Sequence, residues 1–461
     1  MTTTTKPSPL GSLLTRLAPI EPREVPAVVA SFLLFFFMWA GYFSVRPVRE
    51  TIGTNLGKDA TADLWLYTAL FSILIIPLYG AVVGRFRRSA FLPWTYGLVA
   101  IVLAAIGAMF SGGGLDQAKF NADPNLVLAG KTFYVFISVL NMFLLSVFWS
   151  FLLEMFDRGQ TKRLFGVIAA GGSAGALVGP LVADFAVTTI GERGILFASA
   201  ALFVVAIGCQ RALLRIWRER PLHGAAASDD RPLGGNWLAG IWLILRSPYL
   251  LGIALFIVGI SAVSTTLYFE QLRIVQATFT VAAERTQIFA RMDWIVQSLT
   301  VFTQIFLTGR IAARFGVTTL LTIVPIYMIF GFLALAVNAS FLLFATVFIL
   351  RRAGEYAFVR PGREMLWSPL DKETKYKAKN TIDVPVYRTA DAFFSQLDVR
   401  SGGPVDSWLR SVGITAAGTM IIGAGFAALW GIVGWWLGRR FEGSAPTRQR
   451  VATHVAQESK A

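Results

Sequence analysis

Residues 26–45 form an uncharged apolar run whose centre reads Phe32-Leu33-Leu34-Phe35-Phe36-Phe37-Met38-Trp39. The run ends against the charged stretch Arg46-Pro47-Val48-Arg49-Glu50. An uncharged run of roughly 18 or more residues is long enough to cross the hydrocarbon core of a membrane as a helix. Because this run is too long for the core of a signal peptide and no small-residue cleavage pattern follows it, we predict a retained first transmembrane helix.

Comparable runs fill the rest of the chain and predict an all-α polytopic membrane protein with twelve transmembrane helices. The predicted spans are 26–45, 63–84, 89–110, 132–153, 164–189, 194–212, 247–268, 287–308, 315–337, 340–359, 383–399 and 411–438. The eleventh span is the weakest, since Arg388 and Asp391 interrupt it. With twelve spans, both termini lie on the same side of the membrane, and most of the basic segments lie on that side too. Basic loops are retained in the cytoplasm. We therefore predict a multi-pass protein of the inner (plasma) membrane with both termini cytoplasmic.

The composition excludes a water-soluble fold and several kinds of site. The 461 residues are 55% hydrophobic and 15% charged, whereas soluble proteins are about 25% charged. Basic cytoplasmic loops facing anionic lipid explain the net charge of +15, so the expected partner is the bilayer and not a nucleic acid polymer. The chain has a single cysteine, Cys209, so a disulfide within it and a cysteine-based metal site are excluded. It has only two histidines, His223 and His454, so the commonest metal ligand is nearly absent. We expect no cofactor.

The chain divides into two predicted six-helix halves. The expected domains are a cytoplasmic tail, an amino-terminal half, a cytoplasmic linker, a carboxyl-terminal half and a disordered tail, at 1–25, 26–212, 213–246, 247–440 and 441–461. Two short echoes link the halves: Gly80-Ala81-Val82-Val83-Gly84-Arg85-Phe86 with Gly309-Arg310-Ile311-Ala312-Ala313-Arg314-Phe315, and Tyr42 to Glu50 with Tyr356 to Glu364. The second echo ends spans one and ten, at opposite membrane faces, as inverted three-helix repeats would.

Several stretches resemble known transporter families. Gly80 to Arg88 resembles a degraded form of the loop motif of the major facilitator superfamily, and Gly175-Ala176-Leu177-Val178-Gly179-Pro180 resembles the fifth-helix motif of its antiporters. A sharper resemblance lies in Arg363-Glu364-Met365-Leu366-Trp367-Ser368-Pro369-Leu370-Asp371, continuing through a lysine-rich stretch to Ile382-Asp383. This segment is similar to the tenth-to-eleventh helix region of the bacterial and plastid ATP/ADP antiporters. The resemblance implies a major facilitator-like fold and a nucleotide substrate.

Two departures from the antiporter pattern concern the substrate. Arg49 and Arg363 stand where the resemblance implies lysines linked to nucleotide binding. Val386-Tyr387-Arg388-Thr389-Ala390-Asp391 replaces the glycine-rich pattern that the resemblance implies in helix eleven. The chain therefore resembles a distant member of that family, and its solute stays open between a nucleotide and another anion.

Charged residues within or beside the spans are the candidate site, because ionisable groups at membrane depth cost several kcal/mol unless they face a wet cavity or a partner. An arginine can hold a phosphate or carboxylate with two hydrogen bonds, and it can pair with a glutamate when the site is empty. Anchoring at the membrane interface is the competing explanation. The predicted substrate-binding residues are Arg49, Arg363, Glu154, Asp293, Arg352 and Glu355, and the predicted gating residues are Arg46, Glu50, Arg360 and Glu364.

Spacing along helices predicts some of the pairs. Arg351 and Glu355 are four residues apart and share a helix face, so they are expected to pair. Arg291 and Asp293 are two apart and do not face each other, so each needs a partner on another helix. Asp157 is expected to form a structural ion pair with Arg158, Lys162 or Arg163 near the cytoplasmic face. The sequence assigns no role to Asp184.

Small residues predict a close helix contact. Gly171, Gly175 and Gly179 recur every four residues within span five. No Gly-Lys-Ser/Thr follows them, so a phosphate-binding loop is excluded. The spacing favours a smooth face against which another helix packs.

These observations predict a secondary transporter that moves a small anionic organic solute by alternating access through a central cavity. Nucleotide exchange is the interpretation that the resemblance favours, and a proton-coupled symporter or exporter of another solute is the alternative. A lipid flippase or membrane enzyme is disfavoured, since no loop carries a cluster of catalytic residues. We expect a monomer.

Overall fold

The structure is a computed structural model of the chain and describes residues 20–85, 88–156, 158–219, 237–398 and 416–443. Every regular element in these ranges is helical. The α-helices are α1 Val25–Arg85, α2 Arg88–Met109, α3 Gln117–Ala122, α4 Pro124–Met155, α5 Arg158–Glu219, α6 Trp237–Arg246, α7 Pro248–Thr278, α8 Ala282–Thr303, α9 Gly309–Val337, α10 Phe341–Gly354, α11 Arg360–Met365, α12 Lys372–Thr381, α13 Tyr387–Asp398 and α14 Ala416–Gly443. Five-residue π-helical segments interrupt three of the longer helical paths, at π1 Gln304–Thr308, π2 Glu355–Val359 and π3 Ile382–Val386.

Glycines break the longest helices into separate runs. Gly57 (φ 80°) interrupts α1, Gly191 (φ 66°) interrupts α5 and Gly316 (φ 78°) interrupts α9. Glycine adopts such positive φ values at no steric cost. The first two breaks fall between the spans predicted from hydropathy. The third lies a few residues later than predicted, because the helix continues through residues 309–315.

Within the described ranges, seven helices or helical runs are long and apolar enough to cross a membrane. Two of them, Arg163–Arg218 and Ala282–Val337, are each 56 residues long and contain a glycine break. The predicted all-α, multi-pass membrane fold is confirmed, while the count of twelve spans stays a prediction.

The chain forms two compact units. Unit 1 is built from residues within Met1–Asn55, Leu74–Asp230 and Phe279–Trp294, and unit 2 from residues within Leu56–Ile73, Arg231–Thr278 and Ile295–Ala461. In unit 1, α2 packs on α4 and α5. In unit 2, α14 packs on α7 and α9, and α13 packs on α7.

The glycine face of α5 packs against α1, as the sequence predicted. A Cβ atom on Gly179 would lie 2.6 Å from the carbonyl oxygen of Ala40, and one on Gly175 would lie 3.0 Å from the backbone nitrogen of Ala40 and closer still to the carbonyl of Phe36. Because these neighbours are backbone atoms, they cannot rotate away. The contact fixes the segment of α1 that leads to Arg46 and Arg49.

Alanine at Gly175 is therefore expected to force the two helices apart. Overpacking of this kind costs about 1–3 kcal/mol, so the purified Gly175→Ala protein should unfold at a lower temperature in detergent. Gly208 lies on the same helix, and a Cβ atom there would meet nothing within 4 Å. Gly208→Ala should match or slightly exceed the wild type, since alanine favours helix over glycine by about 1 kcal/mol. Equal unfolding temperatures for the two variants would contradict this packing.

A buried carboxylate holds the start of α1 against the start of α5. Glu24 is 1% exposed and accepts hydrogen bonds from Gln160 Nε2 at 2.8 Å and from Arg163 Nη2 at 2.9 Å. The backbone N–H of Glu21 donates to it at 3.0 Å. Burial raises the pKa of Glu24, but these hydrogen bonds and the charge of Arg163 outweigh burial, so the pKa lies below its usual value.

A carboxyl with a lowered folded-state pKa stabilises the protein above the unfolded-state pKa, and the stabilisation disappears as the pH falls through the folded-state value. Glu24→Gln should therefore lower the unfolding temperature at pH 7, with the deficit shrinking toward pH 3. Glu21, whose side chain is 44% exposed, provides the control, since Glu21→Gln removes only surface ion pairs and should have a smaller effect. A Glu24→Gln deficit that is constant from pH 7 to pH 3 would contradict the assignment.

Candidate functional site

Four of the predicted site residues lie together in unit 1. Arg46 Nε lies 3.9 Å from Glu50 Oε1, and Arg46 Nη1 lies 3.6 Å from Asp293 Oδ2. Arg49 Nη2 also pairs with Glu50 Oε1. We call Arg46, Arg49, Glu50 and Asp293 the first cluster. Arg46 and Arg49 thus share Glu50 of their own helix, and Arg46 also pairs with Asp293 of α8.

Helix α4 supplies further contacts to Arg49. The Arg49 Nη1 atom donates a hydrogen bond to Ser138 Oγ at 3.1 Å. The guanidinium also lies 5.1 Å from the centroid of the Tyr134 ring, within cation–π distance. Sequence reasoning missed both residues, because nothing in their spacing links them to α1. These contacts fix the direction of the Arg49 fork.

The first turns of α8 meet α5 through Asp184. Arg291 donates to its carboxylate through Nη2 at 3.2 Å and Nε at 3.3 Å. Trp294 Nε1 donates to the same carboxylate at 2.9 Å. Arg291 therefore pairs with α5 and Asp293 with α1, which confirms that each has a partner on another helix.

A buried arginine missed by sequence reasoning lies nearer the start of α8. Arg285 is 2% exposed and donates to Asn55 Oδ1 at 2.7 Å, Gln117 Oε1 at 2.9 Å and the Phe279 carbonyl at 2.8 Å. Neutral oxygens from three segments thus surround this charge. They tie the end of the first α1 run, the short α3 and the start of α8 together.

The second group of predicted residues lies in unit 2 around Glu355. Arg351 Nη2 pairs with Glu355 Oε2, which confirms the predicted i,i+4 pair. Arg360 Nη2 lies 3.3 Å from Glu355 Oε1. Arg352 is 6% exposed and its guanidinium lies 5.3 Å from the centroid of the Phe348 ring. We call Arg351, Arg352, Glu355 and Arg360 the second cluster.

Arg363 and Glu364 lie where α11 meets α12 and π3. Arg363 Nη1 is 3.4 Å from Asp383 Oδ1, and Arg363 Nη2 is 3.6 Å from Glu364 Oε1. Lys379 Nζ pairs with Glu364 as well. Lys379 and Asp383 belong to the lysine-rich and Ile-Asp stretches that carry the antiporter resemblance, so a signal for them was present in the sequence.

Asp391, treated in the sequence only as an interruption of span eleven, is buried in α13. Its Oδ1 accepts a hydrogen bond from Ser261 Oγ at 2.5 Å, and its Oδ2 lies 3.6 Å from Arg388 Nη1. The residue is 7% exposed. The two interrupting charges thus pair with each other.

The remaining candidates are only partly described. Glu154 belongs to the last turn of α4, and its side chain lies outside the described part of the structure, as does the whole of Asp157. Whether the predicted residues bind a solute or act as gates stays a prediction.

The helices of this chain follow a fold that is known from solved structures. Two solved structures share the fold. The nucleoside transporter NupG superposes with a TM-score of 0.57 at 12% identity over 90% of this chain and 98% of that one. The POT family transporter PepTSo superposes with a TM-score of 0.59 at 14% identity over 92% and 99%. The predicted major facilitator-like fold is therefore confirmed.

The sequence is also similar to one particular group of carriers. Residues 266–392 match the family model described as TLC ATP/ADP transporter. The ADP,ATP carrier protein 1 of Chlamydia trachomatis serovar D is 23% identical over 451 residues, covering 84% of each chain. The predicted secondary transporter and its resemblance to the ATP/ADP antiporters are therefore confirmed. The matched residues contain the second cluster, Arg363 and Asp383.

Proposed function

We propose that this chain exchanges anionic nucleotides of the ATP/ADP type across the inner membrane by alternating access, with both termini in the cytoplasm. The observation that carries the proposal is that arginines pair with buried carboxylates in each unit, Glu50 and Asp293 in the first cluster and Glu355 in the second, and that the second cluster lies inside the segment similar to the ATP/ADP transporters. Nucleotides carry several phosphate charges, and guanidinium forks bind phosphate with two parallel hydrogen bonds.

Each cluster contains arginine and carboxylate together, which suits a site that must empty and refill. An arginine held by a glutamate in the empty site avoids the cost of an unpaired buried charge. An entering phosphate replaces the carboxylate as partner of the arginine. In this scheme Arg49 and Arg363 each bind a phosphate of the solute, and Arg46–Glu50 and Arg360–Glu355 act as the exchangeable ion pairs.

The test is uptake of labelled ADP into proteoliposomes that are preloaded with unlabelled ATP, with unlabelled phosphate or with buffer. Exchange predicts rapid uptake only into vesicles that contain nucleotide, with or without a pH gradient. Uptake that follows the pH gradient and ignores internal nucleotide would replace exchange by proton-coupled transport. No uptake of nucleotide under any of these conditions would overturn the proposed substrate.

A further inference from the structure

Glu355 forms ion pairs with two arginines of the same helical path, Arg351 and Arg360, which lie at different distances from it along the sequence. Arg351 precedes it by four residues, about one turn of an α-helix. Arg360 follows it by five residues, which in an α-helix would place it about 140° around the axis. Nevertheless Arg360 Nη2 and Nε lie 3.3 and 3.4 Å from Glu355 Oε1.

The π2 segment explains how the second pair forms. In a π-helix the backbone bonds join residues five apart, so five residues make about one turn. The backbone N–H of Arg360 donates to the carbonyl of Glu355 itself. The wide turn therefore brings the Arg360 side chain onto the face of Glu355, and a continuous α-helix would remove it.

Pro361 accounts for the wide turn and removes the α-helical N–H donors of two carbonyls. Proline has no N–H, so the carbonyl of Ala357, four residues earlier, loses its α-helical partner. The carbonyl of Tyr356 would be bonded by the N–H of Arg360, which donates to Glu355 instead. Its next candidate along the helix, Pro361, again has no N–H. The Ala357 residue is fully buried, so its carbonyl needs a donor from elsewhere.

Side chains of π1 supply those donors. Thr308 Oγ1 lies 2.8 Å from the Ala357 carbonyl and 3.2 Å from the Thr303 carbonyl of its own helical path, so Ala357 is the nearer acceptor. Gln304 Nε2 donates to the Tyr356 carbonyl at 3.1 Å. Thr308 is 9% exposed, so water competes little for its bond. The carbonyls of Tyr356 and Ala357, which lose their α-helical donors, are thus the two that receive hydrogen bonds from side chains of π1.

We propose that Thr308, assisted by Gln304, is a positioning residue for the solute site: it stabilises the π turn that places Arg360 against Glu355. Thr308 acts through this pair and does not touch the solute. The inference rests on the proposed function in one respect, namely that the Arg360–Glu355 pair belongs to the transport site.

The test is a double-mutant cycle between Thr308 and Arg360, measured on solute transport and on unfolding temperature. Thr308→Val keeps the shape and removes the donor, while Thr308→Ser keeps the donor. We expect Thr308→Val to raise the half-saturation concentration about tenfold, the equivalent of roughly one hydrogen bond, and Thr308→Ser to stay near the wild type. In an Arg360→Gln background, Thr308→Val should add little, because the pair on which it acts is already absent.

Thr322 provides the matched control. Its hydroxyl donates to the Thr318 carbonyl of its own helix, so Thr322→Val should leave the half-saturation concentration unchanged. Additive effects of Thr308→Val and Arg360→Gln, or a Thr308→Ser protein as impaired as Thr308→Val, would overturn the positioning role. If the wild type exchanges no nucleotide, the proposed function fails, and the cycle on unfolding temperature still decides the inference: non-additive losses support it and additive losses overturn it.

Discussion

Arg49→Ala is expected to lower nucleotide exchange by about a hundredfold or more, because truncating one member of a buried, hydrogen-bonded charge pair costs about 2–5 kcal/mol or more. Arg49 is held by Glu50, Ser138 and the Tyr134 ring, so its fork is already oriented before a solute arrives. Arg49→Lys keeps the charge but loses the two-pronged geometry, and its flux should fall between those of the wild type and the alanine variant. The measurement is the initial rate of ADP uptake into ATP-loaded proteoliposomes at matched protein content.

A second variant separates solute binding from simple charge neutralisation. If Arg49 served only to neutralise Glu50, then Arg49→Ala combined with Glu50→Ala would exchange as fast as Glu50→Ala alone, because the carboxylate that Arg49 neutralises is absent from both. If Arg49 binds the solute, the double variant stays well below Glu50→Ala alone. Equal flux in the two variants would contradict the binding role.

Arg363→Ala is expected to have the second large effect, on the order of a hundredfold in exchange, because the variant loses charge-assisted hydrogen bonds to the solute phosphate that contribute about 1.5–3 kcal/mol each. The contacts of Arg363 with Asp383 and Glu364, at 3.4 and 3.6 Å, are ion pairs longer than ordinary hydrogen bonds. Its buried Nε has no hydrogen-bond partner among the described residues. Because these ion pairs are long, the guanidinium of Arg363 can still donate hydrogen bonds to a phosphate.

Arg310 offers the comparison for Arg363, since it lies exposed at the start of α9. Arg310→Ala removes the same charge from unit 2 and should leave exchange within about twofold, as surface substitutions usually change free energies by no more than about 0.5 kcal/mol. Both purified variants should elute and unfold like the wild type. Normal exchange in a folded Arg363→Ala protein would contradict solute binding by Arg363 and would favour the alternative, in which this arginine anchors the helix at the membrane interface.

The sequence predicted the parts of the site that depend on spacing along one helix. Arg351 and Glu355 were expected to pair at i,i+4, and they do. The recurrence of Gly171, Gly175 and Gly179 predicted close packing, and the backbone of α1 lies against that face. Both features follow from the α-helical period, which a sequence displays directly.

Other contacts could not be predicted, because their partners lie far apart in the chain. The need of Arg291 for a partner was predictable, but its partner Asp184 lies 107 residues away. Arg285 finds its acceptors in segments 230 and 168 residues distant. The pair of Arg360 with Glu355 was missed for a different reason, since i,i+5 residues are not neighbours in an α-helix. Pro361 was the available signal for the wide turn.

The most direct test of nucleotide recognition is the equilibrium binding of ATP, ADP and adenosine to the purified wild-type protein. If arginines bind the phosphates, the affinity should fall from the nucleotides to adenosine by about a hundredfold or more, since each charge-assisted hydrogen bond contributes about 1.5–3 kcal/mol. Equal affinity for ATP and adenosine, or no binding of any of the three, would contradict the account.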